Sequence, residues 1–472
     1  MFWMLKDCDQ SAIACHDLST GLAVTYRELD EAVEALASRL SAGSKKLVFL
    51  VLDNSYRSIT AYLACLRARQ AVLLIDAKTS PELLKTLITV YSPDLLWSQS
   101  PIETGTTLYD SWSTAEGFLS RGVPWEGDPI NPDLGLLLST SGTTGSPKLV
   151  RLKYANVQAN AASIAEYLGL GPAEVAITNL PMHYSYGLSV INSHLLAGAK
   201  LVCTNASMFQ ADFWNSFRSQ QCTSFAGVPF TYQMLERMGF ERMDLPTLRM
   251  MTQAGGRLSV DRIKKFHDVA EKKNIRFFVM YGQTEATARI SYVPPSRLGG
   301  KIGSIGISIP GGTLDVQHDG VSVEKNGVEG EIVYTGPNVM LGYAESRPCL
   351  AKGDETQGVL HTGDIGYRDD DGFFFVTGRT KRFLKIYGLR VNLDEVERML
   401  EPKMGVPVIS IGTDDRLLLL LETDQSSLAD EAGNTVTKLF HINRPIITAK
   451  AMPKLPYTAT GKKDYETAKK LL

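Results

Sequence analysis

The chain has 472 residues, of which 44% are hydrophobic and 21% are charged. These proportions are those of ordinary globular proteins, and they exclude a disordered or fibrous chain. The 49 basic and 51 acidic residues leave a formal charge of -2, which gives no indication of a nucleic-acid-binding surface. Because the length exceeds what one hydrophobic core usually serves, more than one domain is expected.

The cysteine spacing and the hydropathy exclude two further classes of protein. The six cysteines include no C-x-x-C pair, so the sequence predicts neither a disulfide framework nor a zinc site. No stretch approaches the ~20 apolar residues of a membrane span, and the apolar run at the N terminus is too short for a signal peptide. We therefore expect no integral membrane segment and a cytoplasmic location.

Short apolar runs alternate with longer helical patterns from residue 46 to about residue 279. Such alternation is typical of β-α-β units, which build a buried parallel sheet. The predicted strands in chain order are VFLVLD, AVLLID, LGLLLSTS, EVAITNL, KLVCT, TSFAGV, LRMMTQAG and IRFFVMYG. This region is therefore expected to be a layered α/β body.

The pattern changes after residue 299 to glycine-rich, alternating segments. GTLDVQ, GEIVYTG and FFFVTGR suit antiparallel strands joined by tight turns, so a β-rich subdomain is predicted at about 299–380. Beyond it we expect a helix at about 393–400, the strands VPVISIG and RLLLLLE, and another helix. The run LLLLL has the length of a strand, not of a membrane helix. The predicted domains are thus a large N-terminal domain, 1–380, and a small mobile α+β domain, 381–472.

A hydroxyl-rich and glycine-rich segment, STSGTTGSPK at 139–148, follows the strand LGLLLS directly. Its glycines allow backbone amides to approach a phosphate closely, its hydroxyls add donors and its lysine adds a positive charge. The residues concerned are Ser141, Gly142, Thr143, Thr144, Gly145 and Lys148. A Walker loop is disfavoured because Pro147 precedes the lysine and Leu149 follows it. A flexible linker is the alternative, and the expected position between a strand and a helix argues against it.

Six further motifs accompany this loop along the chain. They are TYREL (25–29), YGQTEAT (281–287), HTGD (361–364), GYRDDDGFFFVTGR (366–379), LKIYGLRVNLDEVE (384–397) and PYTATGKKDY (456–465). In these motifs and in their order the chain resembles, nearly end to end, the adenylate-forming superfamily of acyl-CoA and aryl-CoA synthetases, luciferases and peptide-synthetase adenylation domains. The resemblance implies that ATP and Mg²⁺ convert a carboxylic acid into acyl-AMP. It further implies acyl transfer to the thiol of CoA or of an acyl carrier protein's phosphopantetheine.

The resemblance also assigns residues to the nucleotide and the metal. Tyr281 is expected to pack on adenine and Thr284 to contact the α-phosphate. Glu285, with Thr144, is expected to bind Mg²⁺, which prefers oxygen ligands. An ionised Asp364 can accept hydrogen bonds from both ribose hydroxyls, since its two oxygens lie in one plane. The other residues expected at the nucleotide are Gly255, Gly256, Gly282, Gln283 and Arg379.

The C-terminal motifs supply a catalytic lysine and a hinge. Lys462 matches the family lysine that reaches the substrate carboxylate and the phosphate oxygens, where a fixed positive charge stabilises the transition state. The adjacent Lys463 is expected to face the opposite way. By resemblance, Lys381 lies at the hinge about which the small domain rotates, and Gly388 leaves space for a pantetheine arm.

The stretch LPMHYSYGLSV (180–190) matches the region that lines the family's acyl site, with His183 near the substrate carboxylate. Tyr184, Ser185 and Tyr186 offer no carboxylate to pair with a substrate ammonium group, so a fatty or aromatic acid is preferred over an amino acid. Arg289 can meet an anionic substituent of the acid. The stretch is similar to the nucleophile elbow of ester hydrolases, but the first glycine of that motif is missing.

Two alternatives to a CoA ligase stay open at this point. One is an adenylation enzyme that loads only a carrier protein. The other is a nucleotide-binding regulatory protein without turnover, and the presence of both Glu285 and Lys462 argues against it.

Overall fold

A computed structural model of the chain describes all residues except 42, 103–108, 116, 123–124, 140–147, 380–381, 387–388, 414–415, 441–442 and 459–460. The backbone divides into two compact units, each made of two segments. The first unit is Met1–Thr313 with Tyr334–Leu360, and the second is Leu314–Val333 with His361–Leu472. The predicted domain boundary near residue 380 was placed at a hinge about which the small domain would rotate. It stays a prediction.

Several helices begin where the sequence provides a side-chain cap or a proline. Thr25 and Glu28, in the motif TYREL, form a capping box: the Thr25 hydroxyl accepts from the Glu28 amide, and the Glu28 carboxylate accepts from the Thr25 amide. The helices in the described chain are α1 (Tyr26–Leu40), α2 (Tyr56–Arg67), α3 (Pro81–Tyr91), α4 (Tyr154–Leu168), α5 (Ser185–Leu196), α6 (Ala211–Ser219), α7 (Pro229–Arg237), α8 (Val260–Lys272), α9 (Pro295–Leu298), α10 (Leu393–Met404), α11 (Ser426–Phe440) and α12 (Tyr465–Lys469). None of these helices combines the length and the apolar character that crossing a bilayer requires.

Each predicted apolar run contains a strand, and further strands that were not predicted accompany them. Those up to the glycine-rich region are β1 (Ile13–Asp17), β2 (Leu22–Thr25), β3 (Leu47–Leu52), β4 (Ala71–Asp76), β5 (Leu95–Ser98), β6 (Tyr109–Ser113), β7 (Phe118–Arg121), β8 (Leu134–Ser139), β9 (Leu149–Lys153), β10 (Val175–Ile177), β11 (Lys200–Cys203), β12 (Ser224–Gly227), β13 (Met250–Gln253), β14 (Arg276–Tyr281), β15 (Ser291–Val293) and β16 (Ile307–Ser308). The later strands are β17 (Thr313–His318), β18 (Val321–Ser322), β19 (Gly330–Thr335), β20 (Gly342–Ala344), β21 (Val359–Arg368), β22 (Phe374–Arg379), β23 (Phe383–Ile386), β24 (Leu389–Asn392), β25 (Val408–Thr413), β26 (Arg416–Glu422) and β27 (Ile447–Met452).

The described strands of the first unit form a nine-stranded and an eight-stranded sheet. The nine-stranded sheet has the order β16-β15-β14-β13-β12-β10-β11-β1-β2, and β1, β11, β10, β12, β13 and β14 run parallel. The eight-stranded sheet has the order β20-β9-β8-β4-β3-β5-β7-β6, with β5, β3, β4 and β8 parallel. The predicted parallel strands are thus divided between two sheets, a division that the alternation of strands and helices does not reveal.

Helices cover both faces of the eight-stranded sheet, as β3 shows. Val48 and Leu50 belong to a core cluster that also takes side chains from α1, α2, α4, α5 and strands of the other sheet. Phe49 and Val51 point the opposite way, into a cluster with α3. A parallel strand buried on both faces reads as a continuous apolar run, which is why VFLVLD was recognisable in the sequence.

The second unit contains sheets of a different kind. The described strands there form a sheet of order β18-β17-β19-β21-β22, the hairpin β23-β24 and the sheet β25-β26-β27. In β26, Leu417 and Leu419 pack with α10 and α11, whereas Leu418 and Leu420 pack against α12. The prediction that LLLLL is a strand is confirmed. Its parallel neighbour β27 was not predicted, because ITAKAM lacks a strong apolar pattern.

Candidate active site

The motif YGQTEAT lies at the carboxyl end of the parallel strand β14, where open α/β sheets bind ligands. Tyr281 ends the strand, and Thr284–Ala286 form a single 3₁₀ turn. Thr287, which follows, has a φ of 66°, in the left-handed region that side chains other than glycine rarely adopt. Its hydroxyl donates to the carbonyl of Asn338 over 2.8 Å. The turn is therefore held in a strained conformation by a neighbouring segment.

Asn338 is the main support of this turn, and the sequence reasoning missed it. Its side-chain nitrogen donates to the carbonyl oxygens of Ala286, over 2.8 Å, and of Arg289, over 2.9 Å. Its side-chain oxygen accepts from the Tyr334 hydroxyl over 2.7 Å. The residue is 1% exposed, so each of these bonds replaces hydration. In the sequence, the one indication of this role was an asparagine at the start of the apolar run NVML.

Glu285 on this turn contacts a tyrosine, Tyr343, that lies far from it in the sequence. The Tyr343 hydroxyl donates to Glu285 Oε1 over 2.8 Å. Burial and the Glu285 carboxylate together raise the pKa of Tyr343, so this phenol stays a donor. The Lys148 ammonium lies 3.8 Å from the centroid of the Tyr343 ring. Tyr343, on β20, therefore joins the predicted lysine and the predicted carboxylate, although the sequence reasoning did not select it.

Thr284 faces the segment predicted to line the acyl site. Its hydroxyl lies 3.3 Å from the Ser185 hydroxyl, at the first residue of α5. On the other side of the turn, the Gln283 side chain donates to the Tyr281 hydroxyl over 3.1 Å. The structure thus brings the strand end, the start of α5 and β20 together at one place in the first unit.

The glycines at this place are required by close contacts. Gly255 has a φ of +80°, and a Cβ added there would lie 2.5 Å from the Tyr184 hydroxyl. A Cβ at Gly282 would overlap the carbonyl oxygen of Ala288. Gly256, next to Gly255, faces the Pro229 ring. Their predicted contacts with the nucleotide stay predictions.

The hydroxyl-rich loop lies mostly outside the described residues, which leaves Ser141, Gly142, Thr143, Thr144 and Gly145 without a structural account. Its two ends are described. Ser139 on β8 pairs with Leu149 on the antiparallel strand β9, so the loop joins two strands of a hairpin. The expectation of a strand-to-helix position was therefore wrong. The alternating run LVRLK forms β9 before α4 begins, and this connection differs from that of a P-loop.

His183 lies beside a carboxylate that the linear sequence does not show. Its Nε2 is 3.8 Å from Asp76 Oδ2, at the end of β4. Burial lowers the pKa of His183, and Asp76 only partly opposes this effect. The imidazole is therefore neutral at pH 7, where it can donate one hydrogen bond without carrying a charge.

In the second unit, Asp364 and Arg379 lie opposite each other on the antiparallel strands β21 and β22. Arg379 Nε donates to Asp364 Oδ1 over 2.9 Å. The Asp364 side chain is 3% exposed, whereas that of Arg379 is 61% exposed. The structure thus brings together the two residues predicted on the ribose side of the nucleotide. Lys381 and Gly388 lie outside the described residues.

The two adjacent lysines of the C-terminal motif have different surroundings. Lys463 Nζ donates to Glu397 Oε2 over 2.6 Å and to Glu401 Oε1 over 2.8 Å. Lys462 lies on the turn closed by Gly461, and its carbonyl accepts from the Thr458 amide over 2.7 Å. Lys463 is therefore committed to structural ion pairs. The catalytic role of Lys462, and a nucleotide shared with Glu285, stay predictions.

Comparison with known proteins decides the family. The model of the AMP-binding enzymes matches residues 4–344, which is more than half of the chain. The chain belongs to the AMP-binding enzyme family. The resemblance inferred from the motifs is thereby confirmed.

Curated relatives of this AMP-binding enzyme carry the names of CoA ligases. A 2-succinylbenzoate–CoA ligase of Bacillus cereus is 28% identical over 414 residues, which cover 83% of this chain and 81% of the relative. An oxalate–CoA ligase of Arabidopsis thaliana is 25% identical over 479 residues, which cover 93% of this chain and 91% of the relative.

Solved structures give the same fold for this AMP-binding enzyme. The o-succinylbenzoate CoA synthetase of Bacillus subtilis in complex with ATP and magnesium ion has a TM-score of 0.78 at 21% identity, over 99% of both chains. MatB from Rhodopseudomonas palustris, bound to ATP, has a TM-score of 0.79 at 21% identity, over 100% of this chain and 98% of its own. The predicted α/β fold is therefore confirmed.

Proposed function

We propose that this enzyme activates a carboxylic acid with ATP and transfers the acyl group to coenzyme A. In the first step, a carboxylate oxygen attacks the α-phosphorus of ATP, and the bond to pyrophosphate breaks. In the second step, the CoA thiolate attacks the acyl carbon, and AMP leaves. The observation that supports this proposal most directly is the cluster of Lys148, Tyr343, Glu285, Thr284 and Ser185 at the carboxyl end of β14.

The residues around Glu285 fit a magnesium ion. Tyr343 occupies only one oxygen of the Glu285 carboxylate, and the Thr284 hydroxyl is nearby in the chain. Mg²⁺ prefers oxygen ligands and is commonly held by one or two carboxylates together with substrate phosphates. Glu285 would hold the ion, with Thr144 as a second protein ligand. When bound, the ion would neutralise negative charge on the phosphates.

The remaining roles follow from chemistry and family membership. Thr284 donates to the α-phosphate, and Tyr281 packs on the adenine. Asp364 accepts from the ribose hydroxyls, with Arg379 holding its carboxylate in place. Lys462 supplies positive charge to the transition state, where several negative groups converge. Neutral His183 donates to the carboxylate of the acid.

Coenzyme A is the proposed acceptor because the curated relatives are named as CoA ligases. A carrier protein is the alternative acceptor. The acid is proposed to be of the aryl or fatty class, since Tyr184 and Tyr186 provide aromatic walls. A cytoplasmic location is also proposed. It is supported by the spacing of the six cysteines, which predicts no disulfide framework.

The test is exchange of labelled pyrophosphate into ATP, measured with fatty, aryl, dicarboxylic and amino acids. We expect exchange that depends on the acid, and AMP release that depends on CoA without any carrier protein. Glu285→Gln should reduce exchange by about 100-fold or more, because a charge that stabilises the transition state is lost. Glu271→Gln, which changes an exposed carboxylate on α8, is the matched control. Absence of exchange with every acid would contradict the proposal. Acyl transfer only to a carrier protein would show that the acceptor is that protein rather than CoA.

A further inference from the structure

Arg289 is a buried cation that pairs with no carboxylate among the described residues. Its residue is 3% exposed, and its guanidinium carbon lies 3.9 Å from the centroid of the Tyr186 ring. Nη1 makes a long contact of 3.4 Å with the Ala288 carbonyl oxygen, and Nε has no hydrogen-bond partner. A guanidinium has five N–H donors and keeps its charge in proteins. The Tyr167 hydroxyl also interacts with the guanidinium, so the partners of Arg289 among the described residues are neutral groups.

Other buried arginines of the first unit are paired. Arg347, which is 4% exposed, donates to Asp94 over 2.7 Å. Arg151, which is fully buried, pairs with Glu355. Burying a cation without a counter-charge costs several kcal/mol, so unpaired arginines are rare in protein interiors. Arg289 differs from these two arginines because no described carboxylate pairs with it. This difference indicates a ligand that supplies the missing negative charge.

Arg289 lies near residues of the proposed reaction centre, both in the chain and through Tyr186. It follows Thr284 by five residues on the same connection after β14, and Asn338 fixes its carbonyl oxygen. Tyr186, on which it stacks, follows Ser185, and Ser185 contacts Thr284. An acid bound with its reacting carboxylate at Thr284 would thus extend along α5 toward the guanidinium.

The space beside Arg289 is lined mainly by apolar side chains, with a few hydroxyls among them. A cavity of about 20 Å³, measured for the centre of a water molecule, borders Arg289, Ser189, Thr252, Met250 and Met280. This volume is about that of one water molecule. The two methionines are unbranched and flexible, so they can move to admit a small substituent. The hydroxyls of Ser189 and Thr252 provide further polar contacts.

We propose that Arg289 binds a second carboxylate of the substrate, so that this enzyme prefers a dicarboxylic acid. The inference rests on the proposed function, because it names the substrate class of the same site. A planar guanidinium can donate two parallel hydrogen bonds to a carboxylate, which a monocarboxylic acid cannot use. The reacting carboxylate lies at the nucleotide, and the distal one pairs with Arg289.

The first part of the test compares pairs of acids in pyrophosphate release by the wild-type enzyme. Each pair is an aliphatic or aromatic dicarboxylic acid and its monomethyl ester, which differ only in the distal charge. We expect kcat/KM for the diacid to exceed that for the ester by about tenfold or more, as for a charged hydrogen bond. Equal or better use of the esters would overturn the inference while leaving acid activation intact. No release with any acid would overturn both proposals.

The second part uses substitutions. Arg289→Met should lower kcat/KM for the diacid by about 10- to 100-fold, mainly through KM, and should abolish the preference over the ester. Arg289→Lys should keep part of that preference. The matched control is Arg276→Met, since Arg276 also lies near an aromatic ring, that of Phe278, and donates to the Leu168 carbonyl. A uniform loss for diacid and ester in Arg289→Met would instead assign Arg289 a purely structural role. If that variant does not fold, the wild-type comparison decides.

Discussion

Lys462 and Lys463 are adjacent in the chain, and the structure places Lys463 in a network of ion pairs. Lys463 lies in a network in which Arg382 and Lys463 flank the buried carboxylate of Glu397. Although burial by itself raises the pKa of Glu397, the two cations outweigh it and lower that pKa. The charged network is thus a structural part of the second unit. Lys462 lies on the preceding turn.

Substitution of each lysine should separate stability from catalysis. Lys462→Ala should reduce acyl-AMP formation by about 100-fold or more, because a charge at the transition state is lost. Lys463→Ala should destabilise the second unit by about 3–5 kcal/mol, because Glu397 loses a partner while buried. Pyrophosphate exchange measures the first effect, and urea denaturation followed by far-UV circular dichroism measures the second. The assignment fails if Lys463→Ala, still folded, loses as much exchange as Lys462→Ala.

At the scale of elements, the site depends on how β14 ends. The turn Thr284–Ala286 and the strained Thr287 carry the residues proposed to contact phosphate and metal. Two elements distant in sequence hold them: the segment after β19, through Asn338, and β20, through Tyr343. The turn is therefore a product of tertiary packing rather than of its own sequence.

Asn338→Ala should both destabilise the first unit and slow the reaction. The change leaves the carbonyls of Ala286 and Arg289 without this donor and the Tyr334 hydroxyl without its acceptor. At about 1–3 kcal/mol for each buried group left unsatisfied, a loss of at least about 2 kcal/mol is expected. Asn338→Asp is the control, since it keeps the acceptor and lacks the donor. Urea denaturation and pyrophosphate exchange are measured together, and unchanged exchange in a destabilised variant would contradict the support assigned to the turn.

For the whole molecule, the two units can be followed separately in solution. All five tryptophans, Trp3, Trp97, Trp112, Trp125 and Trp214, belong to the first unit. Their fluorescence therefore reports that unit, whereas circular dichroism reports both. The first unit also contains a buried histidine, His194, whose Nδ1 lies 2.8 Å from the Val190 carbonyl oxygen. Because a carbonyl only accepts, Nδ1 carries the proton of the neutral ring.

His194 should make the first unit less stable in mild acid. Burial lowers the pKa of His194 in the folded protein, and the Val190 carbonyl only partly opposes this effect. The unfolded chain, with a histidine pKa of about 6.5, then binds the proton first, so stability is full above that pH and falls below it. His194→Asn keeps a donor toward Val190 but does not titrate. The difference in unfolding free energy between wild type and variant should shrink by up to about 1.4 kcal/mol per pH unit below pH 6.5. Parallel pH profiles in tryptophan fluorescence would contradict the prediction.

Much of the fold was predictable because short sequence patterns specify its strands and helix starts. β3 and β4 read as continuous apolar runs, and β26 alternates its leucines between two cores. The capping box of Thr25 and Glu28 lies within a motif that the sequence already singled out. What local patterns could not give was the partner of each strand. The pairing of β8 with β9, for example, corrected the expected position of the phosphate loop.

By itself, the sequence determined the family, many of the strands, and the chemical types of the site residues, because motifs and hydropathy periods are properties of short segments. The tertiary structure alone decided which distant groups meet. It joined Tyr343 to Glu285, Asn338 to the turn after β14, and Asp76 to His183. It also placed Arg289, buried, beside the Tyr186 ring and, within the described part of the chain, away from any pairing carboxylate. Burial and pairing depend on segments far apart in the chain, so no local pattern encodes them.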